Sequence, residues 1–471
     1  MKSINRYIAH PWGGILGRLM PGLLLLLACT GMARADDKSK PVPEQIQSQL
    51  QELMQRYQVP GMAVARIGNG RVIWQGALGR RNSTEPVTRE TVFNVASLTK
   101  PLFAALVMQL VAEGKLDLDE NLSQHWVDPD LADDPRHQHL TPRILLSHQS
   151  GLPNWRGERK LAFMFAPGER HEYSGEGFEY LRRAVEKKTG RSLSELMQAR
   201  VLAPAGMTHT SMGWDPAMDP QLTQRFDQQA KPVEMGDKQR TPNAAANTFS
   251  TIADMGRFAA WVTKGAGLPD NLFTQMASPQ ALHDNPAELF GLGWKLAPLA
   301  SQTALMHDGR EAGLFAQLVV LPQDQEAMVM LTNSTNGELL RRPVIRLLLP
   351  QGEALVKQID KLVWRYIGSI PPAQLGRMSG FIARSPAFTS TLLHAANSML
   401  VQPSDLAPER KQEAADVIDQ FVLDLFEGRL DSQRAVQAIE QLLVQEENQA
   451  SLKTAFSAAG AAAWLDLLQG D

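Results

Sequence analysis

From Leu102 to Val111 the chain reads Leu-Phe-Ala-Ala-Leu-Val-Met-Gln-Leu-Val, apolar on nearly every side of a helix. Such a helix must be covered all round by other elements, so it belongs in the core of a layered fold. Pro101 lies in its first turns, where a missing N–H costs least, and Gly114 is placed to cap its end. The stretch that opens it is Ser97-Leu98-Thr99-Lys100. A lysine leading an apolar helix is costly unless a polar site receives it. Serine and lysine three residues apart share a helix face, so the amine reaches the hydroxyl, and an adjacent base is the usual way to activate a serine. Backbone N–H groups at a helix start also suit the oxyanion of acyl transfer. A bare serine there is otherwise an N-cap, and Ser-x-x-Lys arises by chance roughly once or twice in a chain this long. Its weight depends on partners downstream.

Those partners are Tyr173-Ser174-Gly175 and His307-Asp308-Gly309, in the order Ser/Lys, Tyr, His-x-Gly. The set resembles the serine β-lactamase and penicillin-binding-protein superfamily, in particular class C β-lactamases, DD-carboxypeptidases and related esterases. Further blocks carry the likeness from about Pro43 to Leu349. They are Leu145-Leu-Ser-His-Gln-Ser-Gly-Leu-Pro153, Glu172-Tyr-Ser-Gly-Glu-Gly-Phe178 with Lys187-Lys-Thr-Gly190, Ala203-Pro-Ala-Gly-Met-Thr208, Asn247-Thr-Phe-Ser-Thr251 and Gly291-Leu-Gly-Trp294.

The resemblance implies an α+β fold of β-lactamase/transpeptidase type. An antiparallel sheet is flanked by helices, a mostly helical domain is inserted, and the active site lies between them. It makes Ser97 the acylated nucleophile, Lys100 and Tyr173 a proton-transfer pair, and His307 a polar site residue. The N–H groups of Ser97 and, by position, Arg310 would form the oxyanion hole. Lysine and tyrosine in water both titrate near about 10, so a buried pair should titrate as one coupled unit. Gly309 would let substrate backbone approach closely. Two departures stand out. Gly175 replaces the asparagine that usually ends the second motif and would hold substrate or Lys100. Asp308 replaces the usual hydroxyl residue, and a carboxylate pointing into the cleft would repel a substrate carboxylate about 4 Å away by roughly 1–4 kcal/mol. On that reading, penicillin-like substrates are disfavoured, and neutral esters or cationic peptides are permitted.

The local pattern agrees with this order. Ile46, Leu50, Leu53, Met54 and Tyr57 recur at helical spacing, so Pro43 to Tyr57 is an amphipathic helix. Gly61 to Ile67 and Arg71 to Ala77 alternate around Gly68-Asn69-Gly70, a hairpin signal. Helices joined by loops are expected from Leu116 to Lys264, with Thr251-Ile-Ala-Asp254 as a capping box for a helix through Val262. Strands return at Ala304 to Met306, Leu314 to Leu321 and Ala327 to Thr332. Residues 36–350 therefore form the hydrolase domain. Beyond Pro350, runs at Leu355 to Val363, Ala414 to Leu425 and Ala435 to Leu443 suggest a small helical C-terminal domain, residues 351–471, of unknown role and partner.

Residues 1–35 read as an export signal. Lys2, Arg6 and Arg18 precede the apolar run Leu19 to Ala28, and Ala33-Arg34-Ala35 is a small-x-small cleavage site. A periplasmic location follows. The alternative is a lipoprotein signal at Leu26-Leu-Ala-Cys29, which would anchor the chain to a membrane through Cys29. Cys29 is the sole cysteine, so no internal disulfide can form. A net charge of −3 with dispersed lysine and arginine gives no nucleic-acid groove. No cofactor is implied. His137 and His139 lack a third ligand at suitable spacing, so no metal site is assigned. His148 reads as a buried structural residue, Glu176 is a weak candidate base, and Trp155 and Trp294 suit either cleft or core. The leading reading is an exported serine hydrolase cleaving a small-molecule or peptide ester or amide through an acyl-enzyme on Ser97. One alternative is a β-lactamase or DD-carboxypeptidase acting on D-Ala peptides. Another is a non-catalytic scaffold that binds partners through its C-terminal helices.

Overall fold

The computed structural model describes residues 40–235, 238–280, 289–369, 390–391, 393–395, 397–398 and 407–429. The export or lipoprotein signal, Cys29 and the run Ala435 to Leu443 lie outside them. In chain order the helices are α1 (Glu44–Arg56), α2 (Thr99–Ala112), α3 (Pro142–Leu146), α4 (Gly175–Thr189), α5 (Leu193–Met197), α6 (Ala203–Ala205), α7 (Ile252–Val262), α8 (Asp270–Met276), α9 (Arg341–Leu348), α10 (Gly352–Ser369) and α11 (Pro408–Phe426). The strands are β1 (Gly61–Gly68), β2 (Arg71–Gly79), β3 (Val92–Asn94), β4 (Ser211–Met212), β5 (Arg225–Phe226), β6 (Pro232–Val233), β7 (Thr248–Thr251), β8 (Leu289–Phe290), β9 (Lys295–Pro298), β10 (Thr303–Glu311), β11 (Leu314–Leu321) and β12 (Glu326–Thr332).

Seven strands form an antiparallel sheet in the order β2-β1-β12-β11-β10-β9-β8, so the fold is α+β with helices on both faces. The β1–β2 hairpin turns on Asn69 and Gly70, at φ 50° and 67°. Two consecutive positive φ values match the right-handed twist of the flanking strands, which is why Asn-Gly serves here. The alternation expected of β1 becomes burial of every residue, because β1 sits inside the sheet between β2 and β12 and both its faces are covered.

One apolar cluster gathers α2, α4 and α7 against Leu305, Ala316, Leu318 and Val329 on one face. The other gathers α1 and α9 against Met306, Phe315, Val319 and Met328. In α2 every residue from Thr99 to Met108 is buried. The tail is helical where it is described. Leu355 and Ile359 of α10 and Ile418 and Phe421 of α11 join the second cluster, beside α1 and the sheet. Among the described residues no helix is long and apolar enough to cross a membrane.

Two local expectations are corrected. The segment between Leu116 and Lys264 also carries β4 and β7, which pair with β3 in a second, three-stranded sheet, and the short β5–β6 pair. At α7 the Thr251 hydroxyl accepts from Asp254 N (3.2 Å), but the Asp254 carboxylate does not return to Thr251. It accepts instead from His209 N (2.6 Å) and Thr210 Oγ1 (2.8 Å) and pairs with Arg257 (2.6 Å). Half of the capping box is exchanged for a tie to a neighbouring loop.

The α9–α10 packing depends on a buried ion pair, Arg342 to Asp360 at 2.8 Å. Asp360→Ala leaves the Arg342 guanidinium buried without its counter-charge, so a loss of about 3–5 kcal/mol is expected in urea unfolding. The double variant Arg342→Met/Asp360→Leu should recover most of it.

Candidate active site

Ser97 sits in a 3₁₀ turn, Ala96–Leu98, that leads into α2. Ala96 holds φ at 45°, a left-handed conformation unusual for alanine. The turn is fixed from several sides. Ala96 N donates to Asn94 Oδ1 (2.7 Å), Thr99 Oγ1 donates to Ala96 O (2.7 Å), and Thr248 N donates to Thr99 Oγ1 (3.1 Å). Ser97 is therefore presented by a braced turn between the two sheets.

Lys100 lies one turn on, fully buried, with Nζ donating to Ser97 Oγ at 3.3 Å and to the carbonyl of Ala245 at 2.9 Å. Burial pulls its pKa down to about 7, with the Glu179 carboxylate opposing. An amine at that value is a competent base near neutrality. Glu179 also accepts from Ala244 N (2.7 Å), so it fixes the loop whose next carbonyl receives Lys100.

Tyr173 precedes α4, whose N-cap is Ser174. Lys100 Nζ lies 4.6 Å from the Tyr173 ring centroid, over the ring face. His148 packs against the other aromatic surfaces, 4.3 Å from Tyr173 and 5.1 Å from Phe178 between ring centroids. Its Nδ1 accepts from Ser174 N at 3.1 Å. Burial holds His148 far below the usual histidine range, so it is a neutral acceptor that positions the second motif.

His307 is buried, with its ring 6.2 Å from that of Tyr173. Its Nδ1 lies 2.9 Å from the Asp308 carbonyl. A carbonyl only accepts, so Nδ1 carries the proton. Burial, with Lys100 and Lys295 nearby, pushes the pKa down to about 3. The ring is neutral, and Nε2 is a buried acceptor without a hydrogen-bond partner among the described residues.

Three of the remaining sequence-derived roles change. In β10 the residues alternate between faces. Leu305, His307 and Gly309 share the face of α2, whereas Met306, Asp308 and Arg310 share the face of α9. Asp308 therefore does not reach the cleft. Its carboxylate lies 3.5 Å from both Arg310 and Arg341, and Gln317 donates to it at 3.4 Å. Burial would raise its pKa, but Arg341, Arg310 and Lys295 outweigh that and hold it at about 2. Gly309 is closed to substrate, because a Cβ there would lie 2.3 Å from the Val95 carbonyl. What Gly309 admits is the backbone leading into the Ser97 turn. Gly175 is covered too, since a Cβ there would meet the Trp155 ring at 2.8 Å.

Arg310 follows Gly309 on a stretch of β10 that β9 leaves open, since β9 pairs only with Thr303 to Met306. Its guanidinium is turned to Glu338 at 2.5 Å. Glu176 is held by Arg156 at 2.9 Å. Trp294 is fully buried. His137 and His139 lie in a 3₁₀ turn at Pro135–His139.

Beside the catalytic turn is a cavity of about 490 Å³ whose wall includes Asn94, Trp155, Arg225, Asn243, Phe249 and Glu311. Sequence reasoning missed Ala245 and Glu179. A backbone carbonyl leaves no residue-type signal. Glu179 is visible only as an acid next to Phe178 on the buried side of α4.

A family model described as Beta-lactamase matches residues 46–351. A D-aminopeptidase of Gluconobacter oxydans is 21% identical over 312 residues, covering 61% of this chain and 58% of that protein. The chain thus matches little more than half the length of that relative. Penicillin-binding protein 4 of Amycolatopsis lactamdurans is 28% identical over 327 residues, covering 61% of this chain and 84% of its own. Among solved structures, a class C beta-lactamase superposes with a TM-score of 0.55 at 20% identity, covering 63% of this chain and 93% of that one.

Holding the Lys100 amine at about 7 instead of its ordinary value costs the folded state on the order of 4–5 kcal/mol near pH 7. Lys100→Met removes that cost and loses the bond to Ala245 O. The variant should be more stable than the parent by about 1–4 kcal/mol at pH 7. Between pH 7 and 10 the unfolded lysine binds the proton that the folded one has lost, so parent stability rises with pH and the gap closes. Urea unfolding of both proteins across that range checks the sign.

Proposed function

The chain belongs to the Beta-lactamase family, and from that membership we propose an exported serine hydrolase that cleaves a neutral ester or amide through an acyl-enzyme on Ser97. Its relatives in the superfamily are serine hydrolases. The observation that carries the proposal is the Ser97–Lys100 pair, a hydroxyl 3.3 Å from a dry amine whose pKa is about 7. Neutral Lys100 takes the Ser97 proton as Oγ attacks the carbonyl carbon. The tetrahedral oxyanion is received by the N–H groups of Ser97 and Arg310. The proton reaches the leaving group through the Lys100–Tyr173 pair, and water then releases the acid by the reverse route. Export rests on the N-terminal sequence, with anchoring at Cys29 as the alternative.

A neutral substrate is supported by the third motif. Its cleft face offers an uncharged His307, and its one carboxylate, Asp308, is turned to the opposite face. The same turn removes the repulsion that would have excluded a substrate carboxylate. It supports a second reading, hydrolysis of D-amino-acid peptides, which the names of the D-aminopeptidase and penicillin-binding relatives also suggest.

Ser97→Ala is expected to abolish ester turnover and labelling by a fluorophosphonate, with a loss of several orders of magnitude and an unchanged fold by circular dichroism. Full turnover in a folded variant would refute the mechanism. Because Lys100 acts as a base, kcat/KM should rise with pH as one proton is lost and level off above about 7. A profile flat from pH 5 to 9 would remove Lys100 from that role. Asp308→Thr should lower stability by about 1–3 kcal/mol by depriving Arg341 of its nearby counter-charge, while Arg310 keeps Glu338. It should bring no gain in acylation by benzylpenicillin, read by stopped-flow. A gain would put residue 308 back in the cleft.

A further inference from the structure

Trp155 is the unusual residue of the cleft wall. It is 42% exposed, yet the residues on either side of it are tied down. On one side, Gly175 N and Glu176 N donate to Asn154 O at 3.1 and 3.0 Å, and Gly175 N also reaches Asn154 Oδ1 at 3.0 Å. On the other, Arg156 N donates to Glu176 Oε1 at 3.1 Å. The Arg156 guanidinium pairs with Asp128 at 2.7 Å, Asp130 at 3.1 Å and Glu176 at 2.9 Å. The indole is seated on Gly175, where any side chain would displace it. A large aromatic surface left half in water on an ordered backbone loses little entropy when a ligand covers it.

Several polar groups of the wall are already engaged within the protein. Arg225 is paired with Glu311 at 2.8 Å. The Asn94 carbonyl oxygen accepts from Ala96 N at 2.7 Å, and that of Asn243 accepts from Ala245 N and Ala246 N at 2.7 and 2.9 Å. We infer that Trp155 is the specificity-determining residue of this site: it stacks a flat, aromatic group of the substrate in the 490 Å³ cavity, and Gly175 is the socket that lets it do so. This rests on the serine-hydrolase reading and narrows it to aryl-bearing esters or amides. The glycine in the second motif is then not a lost amide but half of a two-residue device.

Three matched esters test this by titration of released acid: methyl acetate, methyl phenylacetate with its ring on the acyl side, and phenyl acetate with its ring on the leaving group. In the parent, at least one aryl ester should be preferred over methyl acetate by kcat/KM. In Trp155→Ala that preference should fall by about tenfold, the worth of one aromatic stacking contact, through KM. Trp155→Phe should keep most of it. Gly175→Ala, whose Cβ would meet both the indole ring at 2.8 Å and the Asn154 carbonyl at 2.9 Å, should lose it at least as far as Trp155→Ala does. The ester that responds identifies which side of the scissile bond reaches the indole. An equal loss for all three esters, or an unchanged preference, overturns the inference, since a merely structural tryptophan cannot discriminate between them. If fluorophosphonate labels Ser97 but neither aryl ester is preferred by the parent, the hydrolase reading stands and this one falls. If Ser97 is not labelled and no ester is cleaved, both fall.

Discussion

An ammonium group kept out of water inside an apolar layer is the constraint on which the site depends. Lys100 follows Ser97 by three residues and leads a helix whose residues are buried from Thr99 to Met108. No amphipathic alternative exists in which the chain rolls this lysine toward solvent, because the helix has no solvent face. The charge therefore gives way: burial lowers the pKa to about 7, and the amine is shared between a serine hydroxyl and one backbone carbonyl. The features that make the helix a good core element also lower the pKa of the amine in its first turn. Glu179 contributes indirectly, by holding the loop that supplies the Ala245 carbonyl and by adding a negative field that limits the shift.

The second constraint is the two-residue period of β10. His307 and Gly309 lie on the catalytic face, and Asp308 and Arg310 on the face of α9. The same four residues thus serve two environments. One face needs a neutral acceptor and a bare backbone against Val95 O. The other accommodates a carboxylate among guanidinium groups of β10 and α9. Shifting the strand by one residue would bury Asp308 beside Ser97 and expose His307 to the arginines, so the register is held from both sides. Asp308 is best understood as an anchor of β10, acting from behind the face that carries His307 and Gly309.

Much of this was legible in the sequence wherever the signal was local. The helix at Leu50 and Met54, the Asn69-Gly70 hairpin, the all-apolar α2 and the last three strands each follow from spacing within a dozen residues. The order of Ser97, Lys100, Tyr173 and His307 was legible in another way, through the resemblance to a known family. What could not be read was direction across the chain. The side of the sheet on which Asp308 falls depends on β11 and α9 as much as on its own strand. The neighbour that makes Gly309 a glycine, Val95, is far away in sequence, and the tryptophan that makes Gly175 one is twenty residues back. A glycine in a motif announces a close approach but not the group that approaches. β1 failed the alternating pattern for the same reason, since both its faces meet partners from elsewhere.

The proton inventory of the site follows from these placements. His307 gives its one proton to the Asp308 carbonyl and turns a lone pair inward, so it contributes neither a cation nor a donor. His148 is neutral as well, with Nδ1 engaged by Ser174. The proton to be moved is then held by the Ser97, Lys100 and Tyr173 set, and Lys100 lies over the face of the Tyr173 ring. If Tyr173 were ionised, Lys100 would have to stay protonated to balance it. The amine would then be unable to accept from Ser97 until the phenolate did so in its place. The two descriptions differ in where one proton rests, not in how many there are. Two neutral histidines, His307 and His148, thus flank a buried lysine whose amine is lowered to about 7, so the ring environment adds no further positive charge beside it.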